Sequence, residues 1–246
     1  MQTDRIKIAV LIVGEYRTFP YCYKTMYFLH QPENTGIDVD LYISTWSRTR
    51  TTNPPINCGG GVDITPNYID VTEDDIRNVI TRDAVIKVHP YLENNHTFQL
   101  MHHGWYLGFK LIEDSGNIYD YVYVMRPDLF YRQPSFFMNP FDTNYDNSIG
   151  VITPNSADNL SDCEFFSTYD NIKRLLSSDI FELDSTIGKI HQIWYEYVIN
   201  KGLQLTKLPF EIKDPAIIAR FPMNDNSTWD EVSQRYWDLF HRRVIL

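Results

Sequence analysis

The chain reads as an α/β protein built on a mostly parallel, twisted sheet, and three observations carry that reading. Short apolar runs recur at residues 6–13, 39–46, 84–89, 121–125 and 148–153. They are near-continuous rather than alternating, which marks strands buried on both faces. Segments with helical spacing lie between several of them, and alternation of strand and helix gives a parallel sheet with helices on its faces.

Each element follows from its residues. Residues 6–13 (IKIAVLIV) form the first strand, stopped by Gly14. Pro20 suits the start of a helix over 21–30. The second strand is 39–46, and the polar stretch 47–68, with Pro54-Pro55 and Gly59-Gly60-Gly61, reads as a long loop able to close over a ligand. Thr72 is an N-cap with Asp75 at N3 for a short helix ending near residue 80. A third strand, 84–89, stops at Pro90, and a long helix spans 98–114, closed by Ser115-Gly116-Asn117. The strand 121–125 should break at Pro127, which cannot donate to a ladder. Residues 132–147 are loop-like, 148–153 is a strand, and 161–166 reads as a strand end or tight turn. Helices are expected at 171–176 and 187–201, with Gly202 at the C′ position of the second. A last strand covers 203–208, and an amphipathic helix over 229–243 is a C-terminal helical appendage. No composition shift marks a boundary, so one domain over 1–246 is expected.

Composition narrows the function classes. A net charge of −10 argues against a general nucleic-acid binder, which shows a basic face. The 17 Tyr and 14 Phe supply rings that fill cores more often than they cover sugars or bases. Cys22, Cys58 and Cys163 are widely spaced, which is neither a zinc site nor a disulfide framework and fits a reducing, cytoplasmic setting. No signal peptide and no integral membrane segment are expected.

The dinucleotide and P-loop glycine motifs, the nucleophile elbow and HExxH are all absent. What remains stands at strand ends, where an open α/β sheet holds its ligands. Gly14-Glu15-Tyr16-Arg17 offers a tight turn and a guanidinium fork for phosphate, or simply a surface Arg. Ser44-Thr45-Trp46 offers two hydroxyls and an indole to a base or ribose, or a Trp packed under the next loop. Gln99 lies on the opening turn of the long helix; His102 and His103 are adjacent, cannot share a helix face, and make a poor metal pair. Arg126-Pro127-Asp128 ends the most apolar strand with a charge pair suited to a phosphate and its metal, or to a strand-ending salt bridge. Asp162 and then Glu196 are the candidate general bases, with ordinary solvated acids as the alternative.

Strand-G-x-x-R at the N-terminus, D-x-x-x-STW after the second strand, N-x-x-x-Q opening the helix, and YDYVYVMRPDL together resemble GT-A-type glycosyltransferases. The WavE-like lipopolysaccharide-biosynthesis proteins and related viral or bacterial enzymes share this pattern over roughly residues 6–200. The resemblance implies a single GT-A-like (Rossmann-like) domain, with a nucleotide-sugar-binding half at 1–131, an acceptor half at 132–210 and the appendage at 211–246. It implies transfer of a sugar from a nucleotide-diphosphate donor to a glycan or lipid-linked, lipopolysaccharide-like acceptor. Carried over, it places Gly14, Arg17, Thr45, Trp46, Gln99, Arg126 and Asp128 at the donor, with Asp128 as ligand of Mn²⁺ or Mg²⁺ if a cation is used. Many such enzymes carry Asp-x-Asp at this strand end; here Arg126 stands at the first Asp, and a guanidinium can neutralise diphosphate directly. A non-catalytic glycan- or nucleotide-sugar-binding module is the alternative. A sugar nucleotidyltransferase ranks below it, because Gly14–Arg17 is too short and acidic for the required glycine-rich loop.

Overall fold

The computed structural model describes residues 5–26, 29, 37–50, 68–93, 97–132, 141, 143–151, 164–183, 190–208, 216–218 and 226–241. In chain order these give β1 (Ile6–Gly14), α1 (Phe19–Cys22), β2 (Ile37–Trp46), β3 (Arg48–Arg50), β4 (Tyr68–Asp70), α2 (Glu73–Arg77), β5 (Ala84–His89) and α3 (Thr97–Asp114). They continue with β6 (Tyr121–Met125), β7 (Leu129–Tyr131), β8 (Ser148–Val151), β9 (Glu164–Thr168), α4 (Tyr169–Leu175), α5 (Ile190–Asn200), β10 (Gln204–Lys207), β11 (Ala216–Ile218) and α6 (Trp229–His241).

A seven-stranded sheet runs in the order β10-β8-β9-β6-β1-β2-β5. Every pairing is parallel except those of β9, which runs antiparallel to both β6 and β8. Helices cover both faces, so the molecule has the mixed α/β, mainly parallel architecture that the strand–helix alternation predicts.

Side-chain alternation along β1 divides the core in two. Ile8, Val10 and Ile12 pack on one face with Tyr123, Met125, Phe19 and Tyr23. Ala9, Leu11 and Val13 pack on the other with Val122, Val124 and the helical residues Trp105, Phe109 and Trp194. A strand sealed on both sides is apolar where it is sealed, hence the continuous IAVLIV that follows the exposed Lys7. On the second face α3 lies close to the sheet, and its two interior glycines allow it. A Cβ at Gly104 would meet Val13 at 3.3 Å, and one at Gly108 would meet Leu11 at 3.0 Å and Ser44 at 3.2 Å.

Several expectations are corrected. The helix placed at 21–30 starts earlier, at Phe19, and tightens at Cys22 into a 3-10 turn over Tyr23–Thr25. The stretch 47–68 is not all loop, since its ends pair antiparallel as the β3–β4 hairpin; residues 51–67 lie outside the described residues. Of residues 161–166, read as a strand end or tight turn, Glu164 onward belong to a strand, β9 (Glu164–Thr168), paired along its whole length with β6. The break at Pro127 occurs as expected: the chain leaves the large sheet after Met125 and re-forms β7 against β11. The segment after residue 210 therefore contributes a strand as well as α6, whose Trp229 ring stacks on Phe130 of β7. Thr72 and Asp75 close the expected capping box on α2.

Candidate functional site

The carboxyl ends of β1, β2 and β6 are neighbours in the sheet, and they bring four charged side chains together. Arg17 donates from Nε to Glu15 Oε2 at 2.9 Å and from Nη1 to Asp128 Oδ2 at 3.3 Å. Arg126 grips the same Asp128 bidentately, Nε to Oδ1 and Nη2 to Oδ2, both at 2.8 Å. Asp128 is almost sealed, with 2% of its side chain exposed, while the two guanidiniums keep 15% and 16%. Two cations and two anions thus form one compact cluster whose arginines are its outer members.

Local structure explains how the cluster is held. Gly14 has φ 141°, a conformation side chains disfavour, and a Cβ there would approach Pro127 Cδ to 3.0 Å. The β1 turn and the Arg-Pro-Asp turn are therefore in direct contact. Thr45 Oγ1 donates to the Gly14 carbonyl at 2.6 Å and fixes the end of β1. Arg17 has φ 30°, the one described non-glycine residue with positive φ, and its amide donates to Thr49 Oγ1 of β3 at 2.9 Å. Such strain costs about 1–3 kcal/mol and persists where surrounding contacts over-determine it, as at many functional sites. Burial opposes the charge on Arg17, but the carboxylates of Glu15 and Asp128 more than offset it, and its pKa is raised.

The remaining candidates fall on both sides of the line. Gln99 is exposed on the first turn of α3; five residues before Gly104, it lies roughly 7 Å beyond that packed contact and past the edge of β1 and β2. Trp46 is instead 3% exposed, wedged between His89 and the backbone of α3 at Gly104, so its ring belongs to the core and offers no face to a nucleoside. Ser44 is buried too and bonds His89 Nε2 at 3.1 Å. Glu196 is not brought to the edge. It is exposed on the outer face of α5, receives a bond from Gln192, and lies toward the helix end that feeds the start of β10, the opposite edge of the sheet. Asp162 lies outside the described residues. His102 is buried between Trp105 and Trp194, and His103 sits edge-on to Phe181, where burial lowers its pKa.

A divalent cation fits this donor set poorly. Both oxygens of Asp128 accept from guanidinium groups, Glu15 Oε2 does the same, and a cation placed there would face two positive charges at contact distance. Among the described residues no group of three or more His, Cys, Asp or Glu could hold a metal ion.

One acidic residue next to the site was passed over in the run Asp162-Cys163-Glu164, where Asp162 was the chosen base. Glu164 opens β9 opposite Met125, the last residue of β6, and is fully buried. Its Oε2 accepts from Tyr123 Oη and Tyr131 Oη, both at 2.5 Å, and its Oε1 has no hydrogen-bond partner among the described residues. Burial pushes its carboxyl up to about 7, against the two phenol bonds that pull it down. The available signal was a carboxylate directly heading the apolar run Phe165-Phe166, since a buried acid needs donors and marks a special environment.

No protein-family model and no curated protein matches the chain. Among solved structures, the catalytic domain of Drosophila β1,4-galactosyltransferase 7 in complex with xylobiose is similar at TM-score 0.47 and 11% identity, covering 94% of this chain and 73% of that one. A mutant of that enzyme in complex with manganese, UDP-Gal and xylobiose is similar at TM-score 0.42 and 13% identity, covering 91% and 69%. Neither likeness assigns a role to a residue of this chain. No helix among the described residues is long and apolar enough to cross a membrane.

Proposed function

We propose that this chain is a glycosyltransferase of GT-A type that uses a nucleotide-diphosphate sugar, with the arginine cluster at the sheet edge as its diphosphate site. The observation that carries the reading is the pair of guanidiniums, Arg17 and Arg126, held by the buried Asp128 at the carboxyl ends of parallel strands. That edge is where α/β sheets take ligands, and the sequence resemblance points to the same residues.

In the transfer an acceptor hydroxyl oxygen bonds to the anomeric carbon as the bond to the diphosphate oxygen breaks. Negative charge then builds on the leaving diphosphate. Preorganised guanidiniums stabilise that charge without needing to reorganise when it appears. Asp128 and Glu15 fix the forks so that little side-chain entropy is lost on binding. Because Asp128 serves arginines, donor binding needs no cation at its carboxylate. A general base takes the acceptor proton; Asp162 is the proposed group, and the acceptor is a glycan or lipid-linked glycan. Gln99 borders the donor from the start of α3.

Calorimetry with UDP-, GDP- and CDP-sugars, with Mn²⁺ and with EDTA, tests the reading. One donor should bind equally in both conditions, and Arg126→Ala should weaken it about tenfold or more, the scale of a lost charged hydrogen-bond pair. No binding to any of them by the unmodified protein overturns it. The internal neutrality of the cluster keeps a second reading in play, a non-catalytic nucleotide-sugar-binding module. Release of free nucleotide from the donor separates the enzyme from the binder.

A further inference from the structure

We infer that Glu164 is the positioning residue of the Arg126–Asp128 turn, clamping both arms of that turn through the phenols of Tyr123 and Tyr131. The geometry is specific. Tyr123 lies three residues before Arg126 on β6, and Tyr131 three residues after Asp128 on β7. Both hydroxyls converge on a single oxygen, Glu164 Oε2. The turn between them is where the chain passes from the seven-stranded sheet to the small β7–β11 sheet, so ladder bonds do not bridge it. Pro127 adds no amide donor there. Cross-strand pairing of Glu164 with Met125 sets the carboxylate at the height of the turn. One further bond, Tyr131 N–H to Thr25 Oγ1 at 3.0 Å, braces the far arm against the 3-10 turn.

An isolated buried carboxylate is costly, and one whose second oxygen has no partner more so. Packing does not require an acid here, because Phe166, two residues on along the same face of β9, fills that layer with an apolar ring. What the acid provides is a strong acceptor reaching two strands at once, which an apolar residue cannot supply. The two arms are thereby tied at a fixed separation, and Arg126 and Asp128 between them inherit it. The consequence for a ligand rests on the diphosphate reading above; the clamp itself does not.

Hydrogen–deuterium exchange of the intact chain tests the clamp directly. In Tyr131→Phe, which removes one hydroxyl, and in Glu164→Ala, the amides of residues 126–131 should exchange about tenfold faster, while β1 and β2 stay as protected as before. Glu164→Gln retains an acceptor oxygen and should recover much of the protection lost in Glu164→Ala. Unchanged exchange at 126–131, or a rise spread evenly over the whole sheet, overturns the inference. A parallel titration with UDP and with inorganic pyrophosphate should show about tenfold weaker binding in Tyr131→Phe. If the unmodified protein binds neither, the diphosphate reading falls, while the exchange pattern still decides the clamp.

Discussion

The sheet carries two clusters of the same composition, two tyrosines and one carboxylate, near its opposite edges. Toward the amino edge they form a relay: Tyr42 Oη meets Tyr119 Oη at 2.6 Å, and Tyr119 donates to Asp40 Oδ2 at 2.7 Å, with Asn117 donating to the Tyr119 oxygen at 3.2 Å. Asp40 is exposed, so the relay ends in water. At the carboxyl edge the tyrosines converge on Glu164, which no water reaches. Identical groups thus do different work. Where the acid is solvated, the phenols are its tenants; where it is buried, they stand in for solvent, and it holds them in place.

The largest expected contrast is in stability. Glu164→Ala removes the charged acceptor of two buried phenols and opens a cavity, and should cost about 3 kcal/mol in urea denaturation. Asp40→Ala, whose phenol partner can turn to water, should cost less than about 1 kcal/mol. Equal losses would erase the distinction.

The next effect is in pH. Glu164 has a folded pKa of about 7, above its ordinary 4.5, so the folded state holds this proton more tightly than the unfolded one. The resulting stabilisation is fully present below about pH 4.5 and is lost as pH rises through about 7. Between pH 5 and pH 8 the unmodified protein should therefore lose about 2 kcal/mol relative to Glu164→Gln. A constant difference between the two melting curves over that range would contradict the burial argument.

Smaller again is the pairwise coupling. A double-mutant cycle between Tyr131→Phe and Glu164→Ala should return about 1.5 kcal/mol, because the two groups touch and share a desolvated site. The cycle between Tyr42→Phe and Asp40→Ala should return less than about 0.5 kcal/mol, since Tyr119 stands between them. Smallest of all, Tyr42→Phe alone should shift stability by about 0.5 kcal/mol, one neutral hydrogen bond with a replaceable partner.

Much of this was legible in the residues, and the failures share a cause. The buried strands β1 and β6 announce themselves because sealing both faces demands a nearly continuous apolar run. The capping box of α2 and the break at Pro127 are local chemistry and read equally well. Gly14, Arg17, Thr45, Arg126 and Asp128 were legible as a group because each follows a strand whose end could be located. Trp46 was not, because exposure of a ring depends on where α3 packs, and that is fixed by Gly104 some sixty residues later in the chain. Strand β9 and Glu164 were missed for the same reason. An antiparallel insertion between β6 and β8 is a long-range pairing with no local signature, and the acid at its head looked like one more polar loop residue.

The sheet order also sets a clock on the making of the site. Strands β1, β2 and β5 can pair once the first ninety or so residues have been synthesised, but Asp128 follows Arg17 by 111 residues. From the end of β5 at His89 to Asp128 is 39 residues, which at ordinary synthesis rates takes on the order of a few seconds. For that interval Arg17 already sits at the end of a formed strand with Glu15 at hand but Asp128 still unmade, beside the open edge of β1. The arginine cluster is thus completed by its later half, and the nascent chain carries an unsealed strand edge for as long as the arginine waits.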